Sequence, residues 1–315
     1  MKKLIVLLLA IAMVGAVSAQ TAAPAPAPAL TFSGYLNTGF QYDTGSKLVT
    51  LYGAYAGQTS RLRLNAAYTN GDFGVNFRYQ SNDSATAPTV GQALVWGNLF
   101  NKMVTFKAGK LNDYTWATPY NAFGNFDGKT GVQVQVKPVT GLNFGVFVPL
   151  TAAGATPSNT FKDMSIAGKY SAAGLADFVA NLNLGTAANA LYGSVNVTAV
   201  KNLTAILEAN VGDLTKVSTT LYLDQYLSYA MGDLSVGAYI DQTFGTPFAW
   251  SVAPEVDYTM GNVELYASVM VGSGSVWSIS PYINYTLNAK SSVKTYASYD
   301  NTKTFTIGSS FVFNF

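Results

Sequence analysis

The chain has 315 residues, of which only 11% are Asp, Glu, Lys or Arg, less than half the roughly 25% usual in a soluble domain. It has no Cys, which excludes disulfides, thiol chemistry and a lipid-modified N-terminal Cys, and no His, which removes the usual general base and the commonest metal ligand. The formal charge is +2, and nothing in that balance points to nucleic acid; no cofactor or metal is expected.

Residues 1–19 carry Lys2 and Lys3, an apolar run from Leu4 to Val14 and the small-residue end Gly-Ala-Val-Ser-Ala. That order is a secretory signal peptide, with Val17 and Ala19 placing cleavage before Gln20. The apolar run is too short to span a bilayer, which needs about 20 residues. Loss of Lys2 and Lys3 leaves 16 basic and 16 acidic residues. Residues 20–29, in which Ala and Pro alternate from Ala23 to Ala29, read as an extended periplasmic spacer.

From Leu30 to Phe315 the chain reads as a ladder of period-2 segments of about ten residues, the length that crosses a bilayer as a tilted strand. In 30–42, Phe32, Leu36, Phe40 and Tyr42 share one face, and Ser33, Asn37 and Gln41 the other. In 59–69, Leu62, Leu64 and Tyr68 oppose Arg61, Arg63 and Asn65, and Asn70-Gly71-Asp72 then signals a tight turn into 73–80. Further strands are expected at 92–100, 103–112, 130–138, 142–150, 162–170, 175–184, 190–199, 203–212, 217–230, 233–243, 248–259, 262–271, 275–286, 292–300 and 303–315. Alternation breaks in 92–100, and 48–56 is assigned to a long connection spanning 43–58. Pro254 and Pro281 each remove a ladder hydrogen bond and argue for bulges or against central positions. Short turns alternate with longer connections.

The expected fold is therefore all-β, a transmembrane antiparallel up-and-down β-barrel of 16–18 strands, 18 by count. Aromatic residues such as Tyr42, Tyr68, Tyr79, Phe106, Trp250, Tyr258, Trp277 and Tyr285 fall on the outward face as two girdles. Most mid-strand charges fall on the inner face. Residues 20–160 hold nine basic and five acidic groups, and residues 161–315 hold seven and eleven. Arg61, Arg63, Arg78 and Lys107 would line one wall, and Glu208, Asp224 and Glu255 the other, setting a transverse field across an aqueous lumen. The plainer reading is a solvated lining, placed there because lipid excludes charge. Inward Tyr222, Tyr226, Tyr239, Tyr266, Tyr282 and Tyr296 are either plain lining or a surface on which sugars stack.

The last strand places Phe305, Ile307, Phe311, Phe313 and Phe315 on one face and ends on an aromatic residue. This resembles the C-terminal signature of bacterial outer-membrane barrels, with Phe311, Phe313 and Phe315 as the signal read by the barrel-assembly machinery. The run Val104-Thr-Phe-Lys-Ala-Gly-Lys-Leu-Asn-Asp113 and the aromatic loop 113–129 after it are similar to general porins. In that family a Gly-Arg/Lys strand leads into a third external loop that folds inward. The family's Pro-Glu-Phe-Gly-Gly loop motif is replaced here by Asn121-Ala-Phe-Gly-Asn125. The resemblance implies that Asp113, Asp127 and Lys129 sit at the constriction facing Arg61, Arg63, Arg78 and Lys107, and that the protein is a homotrimer. A loop that stays outside is the alternative.

These features point to an outer-membrane porin of a bacterial cell, embedded in outer-membrane lipid and passing small hydrophilic solutes and ions, and not to an enzyme. The acid pair Glu255 and Asp257, two residues apart, is read as lumen lining. The alternatives are an adhesin or structural barrel and a substrate-specific, sugar-type channel. A fatty-acid transporter would bring a larger N-terminal plug than residues 20–29 provide.

Overall fold

The computed structural model describes residues 27–51, 61–81, 88–126, 128–150, 163–185, 188–216 and 220–315. The expected signal peptide, most of the expected spacer and Asp127 lie outside them. The strands are β1 (Ala29–Asp43), β2 (Leu48–Leu51), β3 (Arg61–Asn70), β4 (Phe73–Ser81), β5 (Thr89–Leu99), β6 (Val104–Lys110), β7 (Thr130–Val139), β8 (Leu142–Pro149), β9 (Ser165–Ala172), β10 (Ala176–Asn183), β11 (Ala190–Val197), β12 (Leu203–Val211), β13 (Leu221–Met231), β14 (Leu234–Phe244), β15 (Ala249–Met260), β16 (Val263–Gly272), β17 (Val276–Asn288), β18 (Ser291–Asp300) and β19 (Phe305–Asn314). Sequential neighbours pair antiparallel from β3 to β19, and β1 closes the ring by pairing with β19 on one edge and β3 on the other. A closed ring leaves no unpaired edge, the condition for strands to sit in lipid.

All eighteen expected strands are present. One feature corrects the sequence reading. Part of the connection 43–58 is strand β2, whose Leu51 lies opposite Phe40 of β1 while Arg61 of β3 lies opposite Asn37. β2 and β3 therefore occupy the same edge of β1 and share one place in the ring, so nineteen segments fill eighteen positions. The sixteen-strand alternative falls.

The prolines sit in central strands without bulges. Pro254 pairs with Ala238 of β14, and the ladder to β16 is interrupted at Ala253 and Pro254, with the same register on either side. Pro281 pairs with Ala267 of β16, and the ladder to β18 lapses in the same way. A missing N–H thus removes contact on one edge only. The register shifts that do occur lie at Arg78/Tyr79, Val136/Val139 and Thr286/Asn288.

Side chains alternate across each strand. One set, including Phe32, Leu64, Val75, Val95, Leu207, Leu227, Val256 and Ile283, is exposed on the outer face. Tyr68, Phe73, Tyr170, Tyr229, Tyr258 and Tyr285 ring the short-turn end, and Tyr42, Tyr79, Phe244, Trp250 and Tyr299 the other. An amphipathic ring suits the boundary between lipid and water, so these two girdles bound an apolar belt. No helix among the described residues is long and apolar enough to cross a membrane; the strands supply the crossing.

The ring's seam is made by the chain's end. The Gly34 N–H donates to the Phe315 carbonyl at 2.9 Å and the Phe315 N–H to the Gly34 carbonyl at 3.0 Å. A Cβ at Gly34 would come within 2.6 Å of the Phe315 ring, so the terminal aromatic lies over a position that tolerates no side chain.

Candidate functional site

The buried core of this molecule is not between layers but inside the ring. Leu94, Leu111, Trp116, Phe126, Phe147, Ala167 and Val179 form one cluster. Trp116 and Leu111 are fully buried, and Phe126 packs on Phe147 with centroids 4.6 Å apart. Leu111, Trp116 and Phe126 belong to the connection between β6 and β7; the others come from β5, β8, β9 and β10. The connection is therefore folded into the lumen, where its apolar residues find the cover that the outer face takes from lipid. This explains the broken alternation in β5. Leu94 is an apolar residue on the inner face because it meets the loop, with Trp96 packed beside it.

The loop is built by its own backbone. Phe126 N–H donates to the Asp113 carbonyl at 2.8 Å, Leu111 N–H to Lys129 at 2.8 Å and Thr118 N–H to Phe123 at 3.0 Å. Gly124 has φ of 73°, and a Cβ there would lie 2.6 Å from Asn181 Nδ2; only glycine accepts both conditions cheaply. Asp113 anchors the entry. It is 4% exposed, ion-paired with Lys107, and takes the Thr115 N–H at 2.7 Å. Burial pushes its carboxyl up, but Lys107 and Thr115 outweigh burial and hold it below the ordinary 3.8. At the exit, Lys129 lies 5.3 Å from the Phe126 ring centre, and burial pushes its ammonium down.

The tip reaches the far wall. The Tyr120 and Asn121 backbone N–H groups both donate to Glu208 of β12, the second at 2.9 Å, and Asn121 Nδ2 donates to Asp224 of β13 at 2.8 Å. Asn181 of β10 donates to the Gly124 carbonyl at 2.9 Å, and Phe123 stacks on Tyr192 of β11 at 5.8 Å. The Tyr120 ring stacks on Tyr239 of β14 at 4.8 Å. Its hydroxyl is pushed up by burial and by Asp241, Asp224, Glu208 and Glu255, four carboxylates gathered around it.

The sequence-expected residues fall as follows. Counting β2 and β3 as one place, Arg61 and Arg63 stand at the second position of the ring and Glu208 at the eleventh. Arg78 of β4 is third and Asp224 twelfth; Lys107 of β6 is fifth and Glu255 of β15 fourteenth. Each pair is nine places apart, half the ring, so basic and acidic residues do stand on opposed arcs. The arrangement corrects the expectation in two respects. Glu208 is fully buried and Asp224 only 7% exposed; they hold the loop instead of lining a bare wall, because the backbone N–H groups and the Asn121 side-chain amide pressed against the wall need acceptors. Asp113 faces Lys107 alone among the expected basic residues. Arg78 reaches Asn65 at 2.9 Å and Asn112 at 3.3 Å, Arg61 reaches the Tyr35 hydroxyl at 3.5 Å, and Arg63 lies 5.5 Å from the Tyr35 ring centre.

Glu255 accepts the Tyr226 hydroxyl at 2.9 Å and the Tyr266 hydroxyl at 2.7 Å. Tyr226 stacks on Tyr239 at 4.4 Å and Tyr266 on Tyr282 at 4.6 Å. Tyr296 is 1% exposed and donates to Gln41 of β1 at 3.1 Å, across the seam. The anchors Asn181 and Tyr192 and the packing residue Phe147 went unremarked in the sequence, and Asn121 and Trp116 stood there only as parts of the loop. Their signal is apolar or amide residues at inward positions, legible only once a partner inside the lumen is assumed.

Solved structures share this architecture. Two variants of the porin of Rhodopseudomonas blastica match 91% of this chain and 100% of their own, with TM-scores of 0.58 and identities of 14% and 15%. A triple mutant of the same porin matches equally, at 14% identity. No family model and no curated protein matches the chain. At such identity the likeness is one of fold: a closed antiparallel barrel of porin type.

Proposed function

We propose that this chain is a porin of the bacterial outer membrane, a passive channel for small hydrophilic solutes and ions. The observation that carries the reading is the loop from β6 to β7, laid across the lumen and pinned to β12 and β13. An outward apolar belt holds the barrel in lipid, and an inward charged and hydroxylated lining keeps the lumen wet. Solute choice then follows from width and lining charge at the loop's level; in this reading Arg61, Arg63, Arg78, Lys107, Lys129 and Glu255 supply that charge, Asp113, Glu208 and Asp224 seat the loop, and Asp127 lies outside the described residues. In this reading residues 1–19 direct export and are removed, residues 20–29 are a spacer, Phe311, Phe313 and Phe315 engage the assembly machinery, and three copies associate. Proteoliposomes should swell in isotonic small sugars, more slowly as the sugar grows. Correctly folded protein that supports no swelling would refute the reading and leave an adhesive or structural barrel.

The stacked tyrosines favour one variant of this reading, a sugar-type channel. Sugar faces pack on aromatic rings, and Tyr226, Tyr239, Tyr266 and Tyr282 present a row of them beside Glu255 and Glu264. Conductance blocked by short oligosaccharides, with block lost in Tyr282→Ala, separates it from the unselective channel.

A further inference from the structure

The two arcs of charge are not equivalent, because the loop covers one of them. On the acidic side, Glu208 is fully buried and takes two backbone N–H groups, and Asp224 takes Asn121. Asp113, the acid at the loop's own base, is buried against Lys107. Glu255 accepts two tyrosine hydroxyls, and Asp241 of β14 accepts the Ser251 hydroxyl at 3.1 Å, with Tyr120 stacked on Tyr239 of the same strand. A permeating cation cannot touch Glu208 or Asp224, and the N–H dipoles aimed at Glu208 offset part of its field. On the basic side the opposite holds. Arg61 and Arg63 lie two residues apart on one inner face of β3, both half-buried. Among the described residues neither has a carboxylate within ion-pairing distance, and neither Nε has a hydrogen-bond partner.

We infer that the constriction selects small anions, chloride and small carboxylates or phosphates, through the Arg61–Arg63 pair, the loop having taken Glu208 and Asp224 out of reach. The inference rests on the channel reading and gives it a substrate class. Guanidinium groups stay charged at every relevant pH and present forked donors that match planar oxyanions. Low-dielectric walls focus their field into the narrowed lumen. Were the loop absent, Glu208 and Asp224 would stand open on the facing arc beside Glu255 and Asp241 and oppose that field, and equal sequence charge would mean little preference.

The test is the zero-current potential of the full-length refolded protein in a planar bilayer under a potassium chloride gradient, kept near ~0.1 M or below so that charges within about 10 Å are not screened. The expected sign is that of an anion channel, with chloride favoured over potassium by about twofold or more. Arg61→Ala with Arg63→Ala should move the potential to zero or to the cation side, and Arg61→Lys with Arg63→Lys should keep its sign. Channels with a cation-side potential in the wild type, or an anion-side potential unmoved by the double alanine variant, overturn the inference while the channel reading stands. Absence of any channel overturns the reading beneath it.

Discussion

Asp113 makes the loop's seat sensitive to acid. Its carboxyl is held below the ordinary 3.8 in the fold, against burial, by Lys107 and Thr115. A depressed folded value contributes stability that is complete above the unfolded value and is lost as pH falls through the folded one. The seat should therefore be intact at neutral pH and loosen only below pH 3.8, read as a rise in conductance noise; Asp113→Asn should show the noise at neutral pH. Glu208 is the second critical residue. Glu208→Gln replaces an acceptor by a donor facing the Tyr120 and Asn121 N–H groups, and a buried N–H left unpaired costs about 1–3 kcal/mol. The loop tip should then become open to protease while the barrel remains heat-modifiable on gels; unchanged resistance would remove Glu208 from its anchoring role. Trp116→Ala empties the centre of the lumen core and should cost about 3–5 kcal/mol, measured as a lowered unfolding midpoint in detergent.

At the scale of elements, strands were legible because lipid and water impose one rule on every residue of a two-faced ribbon, and the rule has period two. The exceptions have physical causes. β5 lost its alternation because Leu94 on its inner face meets the loop and not water. β2 was read as connection because four residues, Leu48–Leu51, are too few to show a period, and its pairing with β1 is set by the partner and not by its own pattern. Pro254 and Pro281 argue in sequence for bulges or against central positions, yet each interrupts only one of its two ladders. The loop's inward course was suggested only by resemblance, since an aromatic loop reads the same whether it packs inside or stays out. Its anchors were not legible at all: Glu208 and Asp224 look like lumen lining until the loop is in place, with backbone N–H groups donating to the first and the Asn121 side-chain amide to the second. β19 belongs to this scale too. Phe315 closes the seam over Gly34, so Gly34→Leu should leave β1 and β19 unable to pair at that end. The heat-modifiable folded band should fall sharply; a full yield would show that the seam tolerates a side chain.

For the whole molecule, the eighteen positions and the half-ring separation of Arg61 from Glu208, Arg78 from Asp224 and Lys107 from Glu255 turn a drift of charge along the chain into a field across the lumen. The sequence carried that drift, nine basic against five acidic residues before 160 and seven against eleven after it. What it could not carry was the loop's cover over one arc, which depends on contacts between residues about ninety places apart. The account stands or falls on whether the lumen that remains beside the loop is open. Single-channel recording of refolded protein in a planar bilayer addresses that directly. Long-lived steps of uniform size, enlarged or made noisy by Glu208→Gln, are the predicted result. A folded, heat-modifiable barrel that inserts and passes no current would contradict the account.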